Sequence, residues 1–192
     1  MSLINFNPLT VVTFTRDCLR KLFMEFCEEY TWDEDPNKSK IWIGTVNDYN
    51  AAMPIQKIPR ILLQRGDVIT NTLSISNGLD HVHGTPNDIV KNFRKDLQGM
   101  LNLIVETTSE GSCELLAENV RRFLVWSKPF IEEEFGFQRF AHQVSVSQCM
   151  PDRENKEKFK IQIAIPYIVE DRWFTQQVYI RLKAIFQEVK SC

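Results

Sequence analysis

Ile89, Phe93, Leu97, Leu101, Leu103 and Val105 all fall on odd positions, the two-residue period of a long strand with one buried face. Gly99 interrupts this run and predicts a bulge or bend near its middle. The period then changes in SEGSCELLAENVRRFLVW, where Leu116, Val120, Phe123 and Leu124 make one helical stripe and Glu118, Arg121 and Arg122 face water. Ser112 is the expected N-cap, with Glu110 and Glu114 near the positive helix end, and Pro129 is the expected stop. PFIEEEFGF adds one short turn before Gly136 releases the chain into a strand. Two more alternating runs, Phe140–Ser147 and Phe159–Pro166, flank the charged tract Pro151–Lys158, which reads as a solvated hairpin connection.

Toward the N-terminus, Asn7 suits an N-cap and Pro8 a first helical position. Leu19, Leu22, Phe23, Phe26 and Tyr30 then form one helix face, and Asp17 and Lys21 are spaced for an ion pair. The β-branched stretch Thr10–Thr15 weakens the helical pattern at its start. TWDEDPNKSK reads as an acidic surface loop, and Ile41–Ile43 as a short edge strand or ribbon. In IPRILLQ a strand begins near Pro59, with Ile61 and Leu63 opposing Leu62. Gly66-Asp67 reads as a turn, Val68–Ser76 as a weak alternation and Asn77-Gly78 as a second turn. Residues 79–88 read as a loop or flexible hairpin tip. The last segment fits strand and helix equally by period, and Val178, Tyr179 and Ile180 tilt it to strand. Together these elements predict an α+β fold: a twisted, mainly antiparallel sheet flanked by two main helices near 8–30 and 112–128. One domain over residues 1–192 is expected, with hairpin or loop extensions at 64–88 and 147–160.

A net charge of −2 gives no electrostatic pull toward nucleic acid or an anionic membrane. No apolar run approaches the roughly 20 residues of a membrane span, and no secretory leader is visible, so a soluble protein made in a cytoplasm is expected. The five cysteines are odd in number and widely spaced, which predicts reduced thiols, with Cys18 and Cys27 as small apolar fillers. His81 and His83 alternate on one strand face, yet lack supporting ligands and read as a polar loop pair; no metal or cofactor is expected. His142 reads as a sheet-surface residue, and seven positions along a continuous strand would turn Cys149 to the opposite face from it. Cys113 stands near a helix N-terminus, which lowers a thiol pKa, although burial is the plainer account. Arg65-Gly66-Asp67 reads as a turn, and Glu132, Glu133 and Glu134 as a solvated helix face. Lys91, Arg94 and Lys95 around Phe93 sketch a nucleic-acid platform that Asp88 and Asp96 dilute.

The succession of pieces resembles neck and tail-terminator proteins of tailed bacteriophages. The matching pieces are the NPLT opening, DPNKSKIWI, IPRILLQRG, QGMLNLIVETTSEGSCELLAENVRRFL and the order EEFGF…VS…EDRW. The resemblance implies a sheet flanked by helices that assembles into a homo-oligomeric ring, usually hexameric. Such a ring caps the tail tube and joins it to the head–tail connector, with DNA only as cargo in the lumen. It implies no catalytic residues, no cofactor and no membrane, and a place in the virion neck after assembly in the host cytoplasm. Residues 64–88 form a longer insert than a minimal terminator needs. Subunit contacts are expected from the two hairpins, at Arg65, Asp67, Asn77, His81, His83, Arg153 and Lys156, and from exposed strand edges. Two alternatives stand beside this: another virion subunit (tail tube or head completion), and a small cytoplasmic enzyme using Cys113 or Cys149.

Overall fold

A computed structural model describes residues 8–46, 59–71, 79–85, 88–152 and 157–178. The fold is α+β, with two helices and a mostly antiparallel open sheet among the described residues. The chain order is α1 (Pro8–Glu25), β1 (Trp42–Thr45), β2 (Arg60–Asn71), β3 (Leu79–Thr85), β4 (Asp88–Thr107), α2 (Glu110–Phe135), β5 (Phe137–Phe140), β6 (Ser145–Val146), β7 (Met150–Pro151) and β8 (Phe159–Val178). Packing divides it into two compact units. Of the described residues, the larger holds those between 8 and 69 and between 98 and 168; the smaller holds those between 70 and 97 and between 169 and 178.

In the larger unit the strand order is β1-β2-β4-β8-β5, with β6 and β7 also paired to β8. The edge strand β1 runs parallel to β2, with Ile43 opposite Ile61 and Thr45 opposite Leu63. β6 and β7 are antiparallel to β8, Val146 facing Ile163 and Met150 facing Lys160. Leu101, Leu103 and Val105 of β4 and Ile161, Ile163 and Ile165 of β8 are buried, so the odd-numbered alternation does mark the core face. The helices supply Leu19 and Phe23 from α1, and Leu116, Val120 and Leu124 from α2. Arg20 ties α1 to β1 by donating to the Ile43 carbonyl at 3.1 and 2.8 Å, and its guanidinium lies 5.0 Å from the Trp32 ring centre. In the smaller unit β3 is antiparallel to the first half of β4, from Leu79 opposite Phe93 to Thr85 opposite Asp88.

Several expectations are corrected. α1 starts at Pro8 as expected and keeps the β-branched stretch helical, because Val11, Val12 and Thr15 are buried and packing outweighs intrinsic propensity. It stops at Glu25, well short of residue 30, where Glu28 and Glu29 would meet the negative helix end. Asp17 pairs with Arg16, its neighbour, at 2.9 Å. The cap of α2 is Ser109, whose hydroxyl accepts from the Ser112 amide at 3.3 Å. That helix also runs through Pro129 to Phe135 and ends on Gly136 in the left-handed region, φ 68°. Pro129 lies on the exposed side, where water can serve the carbonyl that the ring deprives of an amide. Gly66-Asp67 is no turn, since β2 continues through it; a Cβ at Gly66 would sit 2.9 Å from Met100, so glycine answers a close approach of β4. Residues 79–85 are a paired strand, not a loop. The run from Phe140 to Ser147 is broken by Ala141, at φ 48°, whose amide donates to the Pro166 carbonyl at 3.0 Å. Glu132 is not merely solvated: it accepts from the Phe140 amide at 2.7 Å and ties the end of β5 to α2. Asn7, Asn77-Gly78 and the segment after Val178 lie outside the described residues.

Two buried features hold the sheet in register. Glu106, next to last in β4, binds Arg60, the first residue of β2, and Lys160 near the start of β8 at 3.2 Å; Lys160 also reaches Asp152 at 3.0 Å. The Glu106 and Arg60 side chains are only 2 and 6% exposed. Farther along, Gly99 leaves room for the Tyr167 ring, which a Cβ would strike directly. Tyr167 in turn meets Phe137 edge-on at 5.9 Å.

Glu106→Ala strands a buried guanidinium and should lower unfolding free energy in urea by about 3–5 kcal/mol. Arg60→Met with Glu106→Leu should recover most of that loss; a single variant within about 1 kcal/mol of the parent would contradict the account. Gly99→Ala should cost roughly 1–3 kcal/mol through the Tyr167 overlap, read by the same denaturation.

Candidate interaction surface

The helices bury one stripe each and leave another apolar stripe in the open. In α2, Leu115, Trp126 and Phe130 recur at eleven and four residues, three turns and about one turn, so they stand on one outer side. Trp126 is 78% exposed, Phe130 57% and, just past the end of α1, Phe26 72%. Together with Cys18, Leu22 and Phe123 they line a groove of about 500 Å³ between the helices, with Lys21 and Glu25 at its rim. Ser127, buried behind it, turns its hydroxyl back to the Leu124 carbonyl at 3.4 Å. Exposed aromatic patches with a charged rim mark surfaces that meet another protein. Helical spacing groups Phe26 on one face with Leu19 and Phe23, and it singles out neither Trp126 nor Phe130. The eleven-residue recurrence from Leu115 to Trp126 was the available signal.

A second concavity, about 650 Å³, opens where β2, β4 and β8 run together, lined in part by Gln64, Arg65, Asp67, Asn102, His142 and Tyr167. Arg65 and Asp67, expected at an interface, are exposed on β2 and reach this cleft. His142 joins them because Ala141 bends the chain after β5. Tyr167 forms the floor; burial pushes its phenol above the ordinary value, opposed by the Arg65 cation. The lining thus combines a cation, an anion, an imidazole and amides, a set suited to polar contact with another surface.

The other expected contact residues lie elsewhere. His81 and His83 occupy β3 in the smaller unit, opposite Asn92 and Val90. Asn77, Arg153 and Lys156 fall outside the described residues. Among the described residues no cluster of three or more His, Cys, Asp or Glu is arranged to hold a metal ion, and no helix is long and apolar enough to cross a membrane.

Cys113 occupies the first turn of α2, but the helix end does not govern it. Its sulfur is buried 3.5 Å from the Phe159 carbonyl and 3.6 Å from that of Val105, and burial pushes the thiol up to about 12. A thiol so placed is protonated at neutral pH. Because β5 and β6 are separate strands, the continuous-strand geometry that separated Cys149 from His142 does not apply. Cys149 instead lies close enough to Cys113 for the two thiols to perturb one another. No protein-family model matches this chain, and a search of curated proteins finds no match.

Proposed function

We propose that this chain is a non-enzymatic structural subunit of a tailed-phage neck. Copies of it assemble into a ring, sixfold as in the proteins it resembles, that closes the tail tube and joins it to the head connector. DNA passes through the lumen as cargo. The observation that carries this reading is the aromatic groove between α1 and α2, with Phe26, Trp126 and Phe130 turned outward. Such a surface is costly to leave wet and gains from a partner. Its occupant is another copy of the chain: Lys21 and Glu25 at the rim offer both charge signs to a neighbour carrying the same pair. The α+β architecture and the outlying edge strand β1 support the same reading.

Size-exclusion chromatography with light scattering, and negative-stain imaging, should find rings, either in the isolated protein or on addition of tail tubes. Trp126→Ala should weaken self-association by at least about 2 kcal/mol, roughly 30-fold, as for a central aromatic contact. Its effect on unfolding should stay within about 0.5 kcal/mol, since the side chain is exposed. A monomer that stays monomeric in the presence of tubes, or unchanged assembly of the variant, would refute the proposal.

A further inference from the structure

The sharpest unassigned chemistry in the larger unit is the meeting of two thiols from distant parts of the chain. Three placements produce it. The first turn of α2 rests on the ends of β4 and β8, which is why the Cys113 sulfur approaches the Val105 and Phe159 carbonyls. The register of β7 on β8 sets Pro151 opposite Phe159 and Met150 opposite Lys160, carrying the preceding residue, Cys149, to the same corner. The Cys149 and Cys113 thiols there lie close enough to perturb one another. Both thiols are free, Cys113 fully buried and Cys149 half-buried.

We propose that Cys113 and Cys149 are a redox-responsive pair that closes to an internal disulfide, stapling the β6–β7 segment to the start of α2. The oxidant is a small disulfide of the glutathione class, and the steps balance by exchange. The Cys149 thiolate, the more accessible, attacks one sulfur of the oxidant; a mixed disulfide forms and one small thiol leaves. The Cys113 thiolate then attacks the Cys149 sulfur, the protein disulfide forms and the second small thiol leaves. Two electrons pass to the oxidant, and the two protein thiol protons end on the two released thiols. Burial holds the Cys113 thiol protonated, so the second step is the slow one and quickens as pH rises. Closure matters mechanically because β6 and β7 are two residues each, with Val146 and Met150 exposed. A covalent tie at Cys149 fixes that strip against the core.

The test treats the reduced full-length protein with oxidised glutathione at about pH 8, quenches with alkylating agent and maps the peptides by mass spectrometry. The expected result is a Cys113–Cys149 linked peptide, reversed by dithiothreitol, with a thermal midpoint raised by roughly 5 °C or more. Cys113→Ser should halt the reaction at a glutathione adduct on Cys149, and Cys149→Ser should leave Cys113 unmodified. The inference fails if wild-type protein accumulates the Cys149 adduct while Cys113 remains alkylatable after unfolding. It fails equally if either cysteine pairs with Cys18, Cys27, Cys192 or a second molecule. The wild-type map decides the matter even if a variant folds poorly, and it is independent of any ring.

Discussion

A carboxylate with almost no access to water must be compensated on every side, and Glu106 meets that demand by gathering Arg60 and Lys160 from the two strands that flank its own. The three residues lie at matching ends of β2, β4 and β8, so they act as a register pin. A two-residue slip of any one strand would keep its hydrophobic face inward yet leave a buried charge unmatched. The apolar alternation alone cannot exclude such a slip; the ionic knot does. Asp152 extends the pin to the end of β7, where Lys160 keeps a raised pKa: burial pulls the ammonium down, and Asp152 and Glu106 more than offset it.

With the strands fixed in this way, the secondary features fall into place. Tyr167 can settle over Gly99 only if β8 and β4 are aligned, and its ring then supports Phe137, which stands next to Phe140 at 5.4 Å. β5 is held on the other side by Glu132, so the C-terminal turn of α2 and the last strand in the order are coupled through one carboxylate. The helices can then spend their second apolar stripe on the outside. The stripe built from Phe26, Trp126 and Phe130 keeps more than half of each ring's surface exposed.

What could be read from residue order was what depends on local period and local chirality. The β4 alternation over Leu101–Val105, the strand after Pro59, the core stripe of α2 and the release of the chain into a strand at Gly136 all belong to that class. What could not be read depends on long-range neighbours. Gly66-Asp67 has the composition of a turn, but the approach of Met100 from β4 is what requires the glycine. Ser109 and Ser112 are both good caps, and the choice follows from how far β4 extends before the helix can start. Phe26 keeps helical spacing with Leu19 and Phe23, yet the helix ends one residue earlier and the ring turns outward. For the site, Arg65 and Asp67 were picked out and do reach a cleft. The Cys113–Cys149 contact was not legible, since β7 pairing and the seat of α2 must both be known before the two sulfurs meet.

Pro129 gives the aromatic groove a chemical detail beyond its shape. It lines the groove itself, and because it has no N–H, the carbonyl four residues before it, that of Val125, receives no amide from position 129. Beside the oily patch there is thus one backbone oxygen that takes no helical N–H from position 129. A neighbour that covers Trp126 with hydrocarbon alone would desolvate this acceptor at a penalty, whereas one that brings an N–H, a hydroxyl or a retained water would not. The groove thus distinguishes partners by polarity at a single point as well as by fit.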